Sequence, residues 1–243
     1  MNEATIGAVA ARGVNANHGV DWWSQGWALF TKNALMWIVL ALILLVIFIL
    51  LALIPLLGSL AASVLLPVFI GSWMLAARKV EAGGALEVGD LFAAFKDKLN
   101  PLLVIGGLLL VATLVIGLVA GMLGFGAVMG MAAGGSQHSA GGAMAAASAG
   151  MLAMLVGLVL GLVVAMAVWF APALVVFGNV APLDALKVSA AACLKNVVPF
   201  LLYGLIYLVA AIVASIAFGL GWIVLVPVVL LTQYVSYKDL FEQ

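Results

Sequence analysis

Residues 34–54 read ALMWIVLALILLVIFILLALI, a run without a single charged or strongly polar side chain. A helix rises 1.5 Å per residue, so roughly 20 apolar residues cross the hydrocarbon core of a bilayer. The run lacks the alternation that a membrane-barrel strand would show. Backbone amides at that depth find no water to bond, which leaves a helix as the spanning structure. Outward from this run, five further segments have the same character, at about 56–78, 102–128, 150–178, 199–218 and 222–238. The expected fold class is all-α, a polytopic membrane protein with six transmembrane helices.

The rest of the composition agrees. Of 243 residues, 67% are hydrophobic and 7% charged, whereas soluble globular domains carry about 25% charged residues. Nine basic and nine acidic residues cancel, so nothing favours a nucleic-acid partner. Cys193 is the one cysteine and excludes an internal disulfide. The apolar run at Ala34 is too long and too far from the N-terminus for a signal-peptide core, and is read as an uncleaved first span.

With six crossings, Arg12, Lys32, Arg78, Lys79, Lys96, Lys98, Lys187, Lys195 and Lys238 fall on one side of the membrane, together with all nine acids. The positive-inside rule makes that side cytoplasmic. The expected location is therefore a bacterial inner membrane, multi-pass, with N- and C-termini in the cytoplasm.

A unit of similar pattern occurs three times, as helical repeats do. An amphipathic helix comes first, then an asparagine, a span, a short outer turn and a second span interrupted by proline. The amphipathic pieces are Val20–Lys32, Glu87–Lys98 and Pro182–Lys195, each acidic at its start and basic at its end, as the helix dipole favours. Helical spacing predicts buried faces of Val20, Trp23, Trp27 and Phe30, then Val88, Leu91, Phe92 and Phe95, then Leu183, Leu186, Ala190 and Cys193. From Asn33 to Pro67, Asn100 to Pro172 and Asn196 to Pro227 the separations are 34, 72 and 31 residues. The chain reads as a flexible N-terminus, 1–18, and a single transmembrane domain, 19–243. That domain contains three helical hairpins (19–79, 85–180, 181–239), each preceded by an interfacial amphipathic helix. Pro101 and Pro199 sit in first turns, where a missing amide costs little. Pro67, Pro172 and Pro227 should kink or unwind their helices, as packing bends or as breaks lining a path for substrate.

Candidate chemistry is thin. Ion-coupled transport needs an ionisable group within the bilayer, and no span holds one away from its ends. The polar side chains there are Ser59, Ser63, Ser72, Thr113, Tyr203, Tyr207, Ser215, Thr232, Gln233 and Tyr234. Acid–base or nucleophilic catalysis needs a base beside a partner, and His18 and His138 fall on opposite sides of the membrane. No catalytic, cofactor-binding or metal site is assigned, no cofactor is expected, and the chain is read as not an enzyme. Met129, Met131, His138 and Met144 carry donors that suit Cu(I), set against methionine's ordinary use as a gap filler.

Glycines four apart, at Gly117 and Gly121, Gly126 and Gly130, and Gly157 and Gly161, predict close helix contact. That contact would join span three to span four, or one chain to another. Trp22, Trp23, Trp27, Trp37, Trp73 and Trp222 lie where interfacial anchors belong. The expected partners are membrane lipids and a further copy of the chain or another membrane protein.

Several short stretches carry a resemblance: Gly26-Trp27-Ala28-Leu29-Phe30, Leu66-Pro67-Val68-Phe69-Ile70-Gly71, Asp90-Leu91-Phe92-Ala93-Ala94-Phe95, Ala171-Pro172-Ala173-Leu174-Val175, and Tyr234-Val235-Ser236-Tyr237-Lys238-Asp239-Leu240-Phe241. With these the chain resembles an uncharacterised proteobacterial family of six-span integral membrane proteins. It is more distantly similar to the membrane domain of glycerophosphoryl diester phosphodiesterases. The resemblance implies a fold and no activity, because the phosphodiesterase chemistry belongs to a separate soluble domain. The function expected is a non-catalytic protein, structural or accessory in a membrane complex. The alternative is a transporter or lipid-handling protein for a neutral or amphipathic substrate.

Overall fold

The computed structural model describes residues 11–133, 140–216 and 219–242, and within them the described residues form helices and turns without strands. In chain order the helices are α1 (His18–Lys32), α2 (Ala34–Ala52), α3 (Leu57–Glu81), a 3-10 turn (Val88–Phe92), α4 (Ala94–Asp97), α5 (Leu99–Ala133), α6 (Ala140–Trp169), α7 (Ala171–Gly178), α8 (Pro182–Lys195), α9 (Val197–Ile216) and α10 (Trp222–Phe241). Six stretches among them are long and apolar enough to span a membrane, namely Ala34–Ala52, Leu57–Glu81, Leu99–Phe125, Gly150–Gly178, Val197–Ile216 and Trp222–Phe241. Each coincides with an expected span.

The chain divides into two compact units, one within Met1–Gly107 and Met166–Gln243 and the other Leu108–Ala165. In the first unit, burial begins at the prolines. Pro67 to Val80 of α3, Phe170 to Val176 around α7, and Pro227 to Leu240 of α10 are largely buried, whereas Leu56, Leu57, Leu66, Leu220 and Val226 upstream are exposed. Each span thus passes at its proline from an outward-facing stretch into a protein-lined core. Another short segment of the chain wraps each buried half. The turn and α4 pack on α3, α8 packs on α7, and α1 packs on α10, which brings the first helix onto the last.

The faces of these wrapping segments agree with the spacing at Phe30, Leu91 and Cys193 and differ from it elsewhere. In α1 the buried residues are Gly19, Trp22, Gly26, Leu29 and Phe30, while Val20 and Trp27 are 44% and 51% exposed. Leu91 and Ala94 are buried where Val88 and Phe92 are exposed. In α8 the buried set is Ala185, Val188, Ser189, Ala192 and Cys193, with Leu183 exposed. The cause is close approach. A Cβ on Gly26 would stand 2.6 Å from Thr232 Cγ2, and one on Gly19 would clash with the Pro199 carbonyl oxygen. Small residues therefore stand at the closest contacts, beside buried Trp22, Leu29 and Phe30, while Val20, Trp27 and Leu183 face outward, as is possible for helices solvated by lipid.

The middle wrapping segment is not one helix. The Asp90 carboxylate accepts the Glu87 amide at 2.8 Å and Lys79 Nζ at 3.0 Å, which holds Val88–Phe92 as a 3-10 turn before the short α4. The prolines also act unequally. Pro67 and Pro227 lie inside continuous helices, and only Pro172 accompanies a break, between Trp169 and Ala171.

In the second unit, a Cβ placed on Gly117, Gly121, Gly157 or Gly161 meets nothing within 4 Å. Among the described residues, no partner backbone approaches these four glycines, so the expected packing of span three on span four is not made there by any described residue. The surroundings of Gly126 and Gly130 lie outside the described residues.

Candidate functional site

Polar side chains of the first unit gather where α3 and α10 end. Asp239 takes three donors: Arg12 through its guanidinium, His18 Nδ1 at 2.7 Å and Trp22 Nε1 at 2.8 Å. Next to it in α10, Lys238 Nζ reaches both oxygens of Glu81 at 2.7 Å, and the Tyr234 hydroxyl, a turn earlier, donates to the same carboxylate at 2.7 Å. Arg78 pairs with Glu242 and lies 3.5 Å from the centre of the Phe177 ring. A small cleft of about 220 Å³ opens among these groups, lined by Arg12, Gln25, Glu81, Lys238, Asp239 and Glu242 with Val235.

Of the N-terminal segment expected to be flexible, residues 1–10 lie outside the described residues. Ala11 to Val14 form a strap across the ends of α8 and α10. The Arg12 amide donates to the Leu240 carbonyl at 3.0 Å, and Lys195 Nζ donates to the Ala11 carbonyl at 2.8 Å. Asn196, 1% exposed, accepts the Val14 amide at 2.9 Å and donates to the Arg12 and Ala192 carbonyls at 3.0 Å. The residue read only as punctuation before a span is thus fully bonded.

The break before Pro172 is closed by side chains. Ser189 Oγ accepts the Phe170 amide at 2.9 Å and donates to the Met166 carbonyl at 2.7 Å, so it stands within what would be one helical hydrogen bond. Cys193 Sγ lies 3.6 Å from the same carbonyl, and Gln233 donates to the Trp169 carbonyl. Burial pushes the Cys193 thiol up to about 12, so it stays protonated. Ser72 performs a similar office, accepting the Ala94 amide at 3.1 Å and donating to the Val68 carbonyl.

The other polar residues of the spans are mostly bonded within their own helices. Ser59, Ser63, Thr113 and Ser215 donate to carbonyls one turn back, and Tyr203 meets Thr232 at 2.8 Å. Trp37 and Trp73, 0% and 1% exposed with ring centroids 5.2 Å apart, are core residues rather than interfacial anchors, and their indole N–H groups have no partner among the described residues. Trp22 is likewise buried. His138 and the side chains of Met129, Met131 and Met144 lie outside the described residues. Among those described, no three His, Cys, Asp or Glu residues converge as metal ligands.

A second feature is apolar. Ala41, Leu45 and Phe48 of α2, Leu66 of α3, and Ile223 and Val226 of α10 enclose much of a groove of about 540 Å³, with Gly219 and Trp222 at its end. Leu66 and Val226 immediately precede Pro67 and Pro227, so the groove lies beside two of the three prolines flagged in the sequence.

Helices of this length and hydropathy define a multi-pass membrane protein. The chain is 28% identical over 212 residues, 86% of its length and 78% of the relative's, to a probable inner membrane protein of Burkholderia thailandensis. No family model matches it, and no solved structure does.

Proposed function

We propose that this chain is a non-catalytic integral protein of a bacterial inner membrane, structural or accessory in a membrane complex. The observation that carries the reading is the open glycine faces of the second unit. Among the described residues, nothing lies within 4 Å of a Cβ placed on Gly117, Gly121, Gly157 or Gly161, and such faces let a second helix approach to backbone distance. The partner is another membrane protein or a further copy of the chain. The ends of α3 and α10 support a non-catalytic role, since their acids and bases are spent on one another.

The test is extraction into native lipid discs followed by cross-linking and mass spectrometry, with Gly117→Leu/Gly121→Leu and Gly157→Leu/Gly161→Leu as variants. Reproducible association that either double variant abolishes, with the fold unchanged, is the expected result. A strictly monomeric particle with no reproducible partner overturns it. In this reading the charged ends and both termini face the cytoplasm, and α1, the 3-10 turn with α4, and α8 lie at the inner interface. Val20, Trp27, Phe92 and Leu183 then point into lipid. The name of the Burkholderia thailandensis relative supports the inner membrane as location.

A second reading, lipid handling, is favoured by the apolar groove beside Pro67 and Pro227. A protein that moves or presents an amphipathic molecule needs a lateral recess of this kind. Transfer of labelled phospholipid between vesicles containing and lacking the protein tests this reading, and a rate equal to protein-free vesicles removes it.

A further inference from the structure

We propose that the groove between α2, α3 and α10 binds one acyl chain of a phospholipid drawn from the leaflet opposite the charged ends. The inference rests on the second reading above, in taking a bilayer lipid as the ligand. Three observations choose the ligand. The described lining is almost wholly hydrocarbon, with Ala41, Leu45, Phe48, Leu66, Ile223 and Val226 forming most of it and the indole N–H of Trp222 already given to Ser215 Oγ at 3.2 Å. A polar molecule would lose its water there and gain no hydrogen bond in return.

The recess of about 540 Å³ is in the range of small-molecule sites. Its rim continues into the outward-facing surface of the spans, since Leu42, Leu45, Leu66 and Val226 are all exposed. A bilayer supplies that surface with acyl chains, so the neighbouring medium and the ligand are the same chemistry.

The leaflet follows from helix geometry. Trp222, at the groove's end, opens α10, and Lys238 lies 16 residues further on, about 24 Å along the axis at 1.5 Å per residue. Phe48 lies in the last turns of α2, away from Lys32 and Asn33 at its start. The groove therefore occupies the half of the spans far from the ion pairs. The turn at Gly219, with φ of 79°, carries no side chain into that end.

The experiment uses the full chain, purified in mild detergent and examined by native mass spectrometry with lipid analysis. The expected result is one phospholipid retained per chain through extended washing. Ala41→Phe and Ile223→Trp, which fill the recess, should lower retention at least fivefold, while Leu201→Phe on the exposed face of α9 leaves it unchanged. A wild-type chain that retains no lipid, or filled variants that retain as much as wild type, overturns the proposal.

Should the filled variants lose their helical circular dichroism, quenching of tryptophan fluorescence by chain-brominated phosphatidylglycerol in vesicles replaces them. The part of the signal removed by Trp222→Phe should saturate at a low mole fraction of brominated lipid. Quenching that merely follows the bulk mole fraction refutes the site. The two ideas fail separately. Lipid retained in the groove without transfer between vesicles keeps the site and removes the lipid-handling function. Transfer undiminished in the filled variants keeps the function and removes the groove as its site.

Discussion

Asp239 and Ser189 illustrate what single residues contribute. Asp239 gathers donors from Arg12, His18 and Trp22, and the Trp22 ring is 1% exposed, so removing the carboxylate leaves a buried indole N–H without a partner. Asp239→Ala should cost about 1–3 kcal/mol, the usual penalty for an orphaned buried donor, read as a lowered midpoint in SDS or thermal unfolding. Ser189→Ala should cost a similar amount, about 1–3 kcal/mol, because it strips partners from the Phe170 amide and the Met166 carbonyl together. Cys193 should resist alkylation by maleimide at pH 7.5 in the folded chain and react on unfolding. Its folded value of about 12 lies above the ordinary 9.0 of a thiol. The stability this burial contributes is therefore intact below pH 9 and lost as pH rises from 9 towards 12. None of these roles was legible in the sequence. The Asp239 partners lie 217 to 227 positions away, and no local pattern marks a serine that serves another helix's backbone.

At the scale of the helix, the sequence disclosed existence and length well and orientation about the axis poorly. The spans came directly from unbroken apolar runs, and α1 and α8 from their acidic starts and basic ends. Helical spacing places large apolar residues inside, and the buried faces depart from that rule at Val20, Trp27 and Leu183. The rule holds where water is the solvent. Where lipid is the solvent, bulk such as Val20 and Trp27 costs nothing outside, and Gly19 and Gly26 mark the closest contacts of an inner face that also holds Trp22, Leu29 and Phe30. Two substitutions separate the cases. Gly26→Ala sets a Cβ 2.6 Å from Thr232 Cγ2 and should destabilise the fold by about 1–3 kcal/mol through overpacking. Gly117→Ala meets nothing within 4 Å and should leave the unfolding midpoint unchanged or slightly raised, since alanine favours the helix. A midpoint that falls as far for Gly117→Ala as for Gly26→Ala would contradict both assignments.

For the molecule entire, the distribution of charge was the most informative signal. Residues expected on one side, Arg78, Glu81, Lys238, Asp239 and Glu242, do meet at the ends of α3 and α10. The side they face is open to measurement, and the chemistry of Cys193 makes that measurement clean. Because the native thiol is buried, a cysteine introduced at Lys96 or Lys187 provides the reactive group. Both positions should label in inverted vesicles and stay silent in intact spheroplasts, and labelling from the outside would reverse the assigned orientation. The partition into two units was not legible. Hydropathy registers that spans three and four are apolar, and it carries no information on whether anything packs against them.

The bonding of His18 and Trp22 to Asp239 has a consequence for how the chain is made. A ribosome releases α1 long before the residues that hold it, so the segment waits at the membrane with Trp22 and Phe30 uncovered while some two hundred further residues are inserted. A nascent chain that stops short of Asp239 leaves that helix held mainly against α9, without its polar partner in α10. Arrival of α10 both completes the core and conceals the mark of an unfinished molecule.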